Sequence, residues 1–222
     1  MRPTFLTPFA RGMKVLDEDF EHSIRFIQSA VIRLADIINA LLKLSRAGRV
    51  EYQVESVAVD EVVARIVESM HSEAERRGVT IQVESLPAVE GDQLAIEQVF
   101  ANLLDNALKY SDPNRPGKIV VGVLDDEPAT NLRTFFVRDN GLGLPEQGRD
   151  KVFKAFERFH GNIAPGEGMG LAIVKRIVNR HGGEIRLESS PGEGCIFYVS
   201  LPLAPLVVPV DTSFREPTST SH

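Results

Sequence analysis

Apolar residues near the start of the chain recur in alternating steps of four and three. Phe20, Ile24, Ile27, Val31, Leu34, Ile38 and Leu41 mark one seam, and Ala30, Ile37 and Leu44 widen it on one flank. This spacing predicts a long helix of the bundle or coiled-coil kind from residue 17 to 47. A stripe this broad needs a partner helix, and the flanking segments offer none. A second copy of the chain is the simplest supplier, so the pattern predicts a homodimer through a helix at 17–48. Residues 1–16 show no period, and Gly48 is placed to stop the helix.

The pattern then changes. A helix is expected at 60–77, with Asp60 as its N-cap, Val63, Ile66, Val67 and Met70 on its apolar face, and Gly78 at its end. Residues 79–85 alternate as a strand does. A further helix spans 92–110, its core side made by Ile96, Phe100, Leu103 and Ala107. Strands are expected at 118–124 and 132–139, then a loop-rich stretch over 140–168. A helix at 169–181 ends at Gly182 and Gly183, and strands at 184–190 and 195–201 flank the turn "PGEG". Helices with mostly antiparallel strands predict an α+β fold, a two-layer α/β sandwich over about 50–203, preceded by the long bundle-forming helix. Residues 204–222 end in "DTSFREPTSTSH" and predict a disordered tail.

Charge and composition narrow the function. A net charge of −6 argues against a nucleic-acid backbone binder. Cys195 is the one cysteine, which leaves no internal disulfide and no thiolate metal cluster. His71, His160 and His222 show no metal spacing. No leader pattern is visible, and no apolar run reaches the ~18 residues of a membrane span. A cytoplasmic protein is the expectation.

Four segments carry candidate chemistry. In "NLLDNALKY" (102–110), Asn102, Asn106 and Lys109 fall within an arc of roughly 60° on the helix. Amide oxygens suit a hard cation and an ammonium suits a phosphate. Asparagine is a poor helix former, so two in mid-helix need a reason, although a solvated face is the plain alternative. "RDNGLGL" (138–144) follows a strand. Asp139 there can accept from an exocyclic amine such as that of adenine, and Gly141 and Gly143 allow a sharp turn beside a flat base; a simple glycine turn is the alternative. In "KVFKAFERFHG" (151–161), Phe153, Phe156 and Phe159 recur every third residue and Arg158 can reach a terminal phosphate, or the segment is a minor core helix. In "GEGMGL" (166–171), Gly166, Gly168 and Gly170 precede a helix whose free N–H groups would meet an anion; a flexible loop is the alternative.

In this order, the four segments resemble the N, G1, F and G2 boxes of the ATP-binding catalytic domain of sensor histidine kinases. That domain belongs to the superfamily of gyrase, chaperone and mismatch-repair ATPases. The resemblance covers about 55–202 and implies a Bergerat-type fold with ATP and Mg²⁺ as cofactors. "LLKLSRAG" is similar to the end of the second helix of the kinases' dimerisation domain, nearest the phytochrome-like branch. The resemblance divides the chain into an irregular start (1–16), a dimerisation helix (17–48), an ATP-binding catalytic domain (55–203) and a tail (204–222). It implies that Asn106 holds Mg²⁺ with Asn102 beside it, and that Lys109 and Tyr110 contact phosphate or ribose. Asp139 would read the adenine amine, with Gly141 and Gly143 shaping the base pocket. Gly166, Gly168 and Gly170 would form the hinge and phosphate-facing end of a lid at about 157–168. Phe156 and Leu171 complete the cofactor-binding set, and Asn102, Lys109 and Arg158 the catalytic one.

The family's phosphoacceptor motif, similar to H-E-L-R-x-P-L, has no match before residue 17. "HSIR" at 22–25 imitates it, but His22 lies only one helix before "LLKLSR" and is followed by Ser23 instead of an acidic residue. His22 therefore reads as an ordinary helix residue. The expected function is phosphoryl transfer from ATP to a histidine on another chain, with a response regulator or acceptor-histidine domain as partner. The alternative is a non-catalytic pseudokinase or dimeric scaffold. A standalone ATPase is a third reading; Glu97 at the start of the helix discriminates weakly.

Overall fold

The computed structural model describes residues 52–124, 131–149, 151–155 and 168–204. The expected dimerisation helix, His22, Phe156, Arg158, Gly166 and positions 205–222 lie outside the described residues.

After the short strand β1 (Glu55–Val57), helix α1 runs over Val59–Arg77. Val63 and Ile66 of the expected face are buried, together with Val59, Val62 and Ala74, while Val67 and Met70 are only partly buried. The helix starts earlier than expected. Its N-cap is Ala58, which has no capping side chain, while Asp60 lies in the first turn beside Glu61. The carboxylates there favour the positive helix end without capping it. Gly78 ends the helix in the left-handed region at φ 64°, its N–H donating to the Ala74 and Glu75 carbonyls.

Strands β2 (Val79–Val83) and β3 (Val89–Gly91) lead to helix α2 (Gln93–Lys109). β1 and β3 pair antiparallel, Glu55 opposite Gly91, as a separate small sheet that periodicity did not reveal. Three residues are too few to show alternation. Asp92 caps α2 by accepting from the Ala95 N–H at 2.9 Å.

The remaining strands are β4 (Gly117–Val123), β5 (Leu132–Asp139), β6 (Glu184–Ser190) and β7 (Gly194–Pro202). The main sheet has the order β2-β4-β5-β7-β6. Its pairs are antiparallel except β2 with β4, which are parallel. Helix α2 lies between those two strands in sequence, and parallel neighbours require such a crossover.

The register separates two faces. Val121, Val137 and Phe197 stand opposite one another and are buried beneath the helices. Val120, Arg138, Ile196 and Glu188 form the next row, on the outer face. There Arg138 lies over Phe136 at 5.2 Å and Arg186 over Tyr198 at 5.5 Å, so long cationic side chains cover aromatic rings. On the inner face, α2 contacts both α1 and helix α4 (Gly170–Arg180). Phe100 meets Phe135 edge to face at 5.7 Å, joining α2 to the central strand.

A single turn of helix, α3 (Glu146–Arg149), interrupts the stretch expected to be loop. Just beyond it, Phe153 sits edge-on to Phe197 at 6.5 Å, with Lys175 Nζ 5.5 Å from its ring. Phe153 is partly buried against the core, but from a turn and not from a minor core helix.

Candidate nucleotide-binding site

Three segments meet on the helical side of the sheet. The first is α2. Leu103, Leu104, Ala107 and Leu108 are buried, which leaves Asn102, Asn106 and Lys109 half-buried on the other side. Asn102 Nδ2 donates to the Gln98 carbonyl at 2.9 Å. That bond uses the amide's nitrogen and turns its oxygen outward. Lys109 Nζ lies 2.6 Å from Asp105 Oδ2, one turn back on the same helix.

The second is the beginning of α4. Met169 occupies its N-cap position with near-helical backbone angles and no side-chain cap. Methionine has no side-chain oxygen to give the first N–H groups of this helix, as a Ser, Thr, Asp or Asn at that position would. A β-carbon on Gly170 would lie 3.2 Å from Asn102 Oδ1, tighter than ordinary van der Waals contact, so the start of α4 lies beside the amide of α2 with no room for a side chain between them. Gly168 precedes it at φ 70°. Leu171 is half-buried and packs against the core.

The third is the turn after β5. Asp139 is 8% exposed, at the sheet end. Its Oδ1 accepts from the Gly141 N–H at 2.8 Å and from the Cys195 N–H at 3.3 Å. Burial raises its carboxyl to about 6, while both N–H groups and the charge of Arg115 pull it back down. Both of these backbone donors lie on Oδ1 and not on Oδ2. The turn is joined to α2 through Tyr110, whose carbonyl accepts from the Leu142 N–H at 3.0 Å.

The glycines have a reason the sequence did not reveal. A β-carbon on Gly141 would stand 2.3 Å from the Tyr110 carbonyl oxygen, and one on Gly143 would stand 1.9 Å from that of Ser190. Gly143 also holds φ 64°. Close backbone approach alone demands both glycines, whatever the ligand.

The structure thus brings together Asn102, Asn106, Lys109, Tyr110, Asp139, Gly141, Gly143, Gly168, Gly170 and Leu171. It adds residues that sequence reading missed. Arg115 Nη2 donates to the carbonyls of Asn140 at 2.5 Å, Gly141 at 2.9 Å and Gly192 at 2.6 Å. Ser189 accepts from the Leu144 N–H at 2.8 Å and donates to the Gly194 carbonyl at 2.8 Å. Cys195 is pushed up to about 12 by burial first and by the Asp139 charge second, which keeps it a neutral thiol. The one local hint was an arginine set between proline-bearing turn residues in "DPNRPG".

The residues fit a magnesium nucleotide. Among the described residues no group of three or more His, Cys, Asp or Glu could hold a metal by itself. The amide oxygens of Asn106 and Asn102 are the hard donors this helix face would offer a cation, which would supply charge neutralisation for bound phosphates. No helix among the described residues is long and apolar enough to cross a membrane.

Residues 91–205 match the family model of histidine kinase-, DNA gyrase B- and HSP90-like ATPases. Cyanobacterial phytochrome B of Nostoc sp. is 40% identical over 172 residues, which is 76% of this chain and 22% of that protein. Phytochrome-like protein Cph1 of Synechocystis sp. is 37% identical over 194 residues, 87% of this chain and 25% of that one. The chain spans about a quarter or less of the length of these curated relatives. Among solved structures, a mycobacterial sensor histidine kinase, MprB, superposes with a TM-score of 0.58 at 31% identity, over 68% of this chain and all of that one. Matched in fold, in sequence and in the order of its polar and glycine segments, the chain belongs to the histidine kinase-, DNA gyrase B- and HSP90-like ATPase family and carries the ATP-binding catalytic domain of a sensor histidine kinase.

Proposed function

We propose that this domain binds Mg-ATP between α2 and α4 and presents its γ-phosphoryl group to a histidine supplied from outside the domain. The observation that carries the reading is the meeting of the Asn102 amide oxygen with the start of α4 at Gly170. A polar helix face beside a helix N-terminus that has no capping side chain from its N-cap residue suits a polyanion, with amide and dipole acting on the same charge.

Each residue then has a physical role. The Asp139 carboxylate accepts the exocyclic amine of adenine and rejects a base presenting a carbonyl there. Asn106, with Asn102 beside it, holds the cation; bound Mg²⁺ would supply charge neutralisation for the phosphates. Lys109 exchanges Asp105 for phosphate, and Tyr110 lies against ribose or phosphate. Gly166, Gly168 and Gly170 let the segment before α4 fold over the ligand, with Phe156 and Leu171 against it. Arg158 approaches the terminal phosphate. Positioning and electrostatics do nearly all the work in such a transfer.

The acceptor is a histidine on another segment or chain. Of the described histidines, His71 pairs with Glu75 on α1 and His181 is tied into the core, so neither is presented to the site. A response regulator would receive the phosphoryl group next, self-association would run through 17–48, and the setting would be cytoplasmic. Calorimetric titration with ATP, with and without millimolar Mg²⁺, tests the pocket, and absence of heat in both would end the reading. Incubation with labelled ATP and an acceptor-helix fragment tests transfer. Binding without label on the fragment would leave a nucleotide-binding scaffold.

A further inference from the structure

Arg115 is used by none of the roles above, yet it makes the most concentrated set of contacts near the base-reading carboxylate. It leaves the loop between α2 and β4 and places one nitrogen, Nη2, on the carbonyls of Asn140, Gly141 and Gly192. Two of those carbonyls belong to the turn that follows Asp139, and the third to the turn between β6 and β7. Its Nε is buried without a hydrogen bond, with Asp112 Oδ2 at 3.5 Å. Asp112 is in turn held by the backbone and side chain of Asn114, each at 3.0 Å.

Gly141 connects this cation to the carboxylate. Its N–H is bonded to Asp139 Oδ1 and its carbonyl to Arg115. Moving that carbonyl rotates the adjoining peptides and with them the donor on Asp139. Other bonds also restrain the turn: Leu142 N–H donates to the Tyr110 carbonyl at 3.0 Å, Leu144 N–H to Ser189 Oγ at 2.8 Å and Asn140 N–H to the Lys118 carbonyl at 3.2 Å, but these do not hold the Gly141 carbonyl itself. Asn140 bridges the Lys118 N–H at 2.7 Å and the Pro116 carbonyl at 3.0 Å, and Gly192 N–H reaches the Leu142 carbonyl at 2.7 Å. The turn between β6 and β7 keeps its own closure, Glu193 N–H to the Ser190 carbonyl at 3.0 Å. With its side chain 38% exposed, Arg115 is no core residue, so its bonds act on placement more than on packing.

We infer that Arg115 is a positioning residue for adenine recognition, fastening the Asp139–Gly143 turn to the β6–β7 turn and thereby fixing where the Asp139 carboxylate meets the base. This rests on the reading of the domain as an adenine-nucleotide site. The ionisable groups that act on Asp139 are Arg115 from the loop and Cys195 on β7, whereas Arg138 on β5 and Glu188 on β6 belong to the outer face of the sheet. Arg115 is the cation whose charge acts to keep the carboxylate ionised.

Calorimetry on the full chain with ATP, GTP and inorganic tripolyphosphate, at saturating Mg²⁺ between pH 5.5 and 8, separates the possibilities. If the wild-type chain ignores ATP, or takes ATP and GTP alike, the nucleotide reading itself has failed and the variants are not needed to show it. Given ATP selectivity, Arg115→Met lowers ATP affinity about tenfold, the scale of one lost charge-assisted bond network. It leaves tripolyphosphate binding unchanged and moves the pH midpoint of ATP binding upward. Arg115→Lys, which keeps the charge and loses the planar fork, restores the midpoint and part of the affinity. ATP affinity unchanged in Arg115→Met overturns the inference, as does a parallel loss of ATP and tripolyphosphate with a fixed midpoint. Should Arg115→Met not fold, Arg115→Lys decides: a lowered ratio of ATP to tripolyphosphate affinity supports the role, and an unchanged ratio removes it.

Discussion

His181 Nε2 accepts a hydrogen bond from the Asp92 N–H at 3.1 Å, tying the C-cap of α4 to the N-cap of α2. Its Nδ1 lies 2.9 Å from the Ile177 carbonyl, and its ring stacks on Tyr52 at 4.7 Å. Arg180 lies over the other ring of that stack, 4.1 Å from the Tyr52 centroid. The two helices that flank the candidate site are therefore locked together at the end opposite the polar face, where the chain enters the domain. Because Nε2 accepts, Nδ1 is the nitrogen placed to donate, to the Ile177 carbonyl.

Replacing His181 by alanine removes that lock. Two hydrogen bonds and a ring stack are lost, and the expected destabilisation is about 2–3 kcal/mol. Urea unfolding followed by circular dichroism reads the shift in midpoint. A variant as stable as wild type would show that the α2–α4 junction depends on its apolar contacts alone.

Asp139 makes stability fall as pH rises through its titration. Its folded value of about 6 lies above the ordinary 3.8, so the folded state holds the extra proton between them. The group's destabilising effect is absent below the ordinary value and complete above about 6, where it reaches about 3 kcal/mol. Asp139→Asn is thus expected to be more stable than wild type at pH 7 and to show a flatter stability profile between pH 4 and 6, while losing ATP. Denaturant melts across that range, beside ATP titrations, check both halves.

Two glycines share a backbone angle and differ in surroundings. Gly78 and Gly143 both have φ 64°, but nothing lies within 4 Å of a β-carbon on Gly78, while one on Gly143 would meet Ser190 O at 1.9 Å. Gly78→Ala should cost about 1 kcal/mol, the left-handed strain alone. Gly143→Ala should cost at least about 3 kcal/mol, since backbone must move. Equal unfolding midpoints for the two variants would contradict this.

Asn106→Ala is expected to make nucleotide binding insensitive to Mg²⁺ and weaker by about tenfold in its presence, one amide–cation contact being worth roughly a charged hydrogen bond. Calorimetry with and without chelator reads the difference. A retained magnesium effect would move the cation to Asn102.

The seam over 17–48 predicts that Ile27→Asp or Leu34→Asp weakens self-association, because each leaves a charge in a buried interface. An unchanged sedimentation mass would refute the dimer.

Much of the fold was legible because its elements repeat a local signal. Val63 and Ile66 on α1, and Ile96, Phe100, Leu103 and Ala107 on α2, are buried at the helical period that marks them in the chain, although Val67 and Met70 on α1 are only partly so. β5 was readable to the residue, since "LRTFFVRD" ends at a charged pair before a glycine turn. β1 and β3 were not, being short, and the start of α1 was misplaced because Asp60 resembles a cap while lying one position inside the helix. In the site, the amide face and the glycines stood out as residue types that need a reason. Arg115 did not, because an arginine in a polar turn is ordinary until its partners are known.

Sequence alone determined the class of the fold, the chain order of amide helix, aspartate turn and glycine-led helix, and the family these imply. Tertiary structure decided that Asp139 is buried, that Gly143 abuts the Ser190 carbonyl, and that Arg115 reaches Gly192 across a separation of 77 residues. The reason is physical. Periodicity and propensity act between neighbours a few residues apart, whereas desolvation and close backbone approach depend on segments that only folding brings into contact.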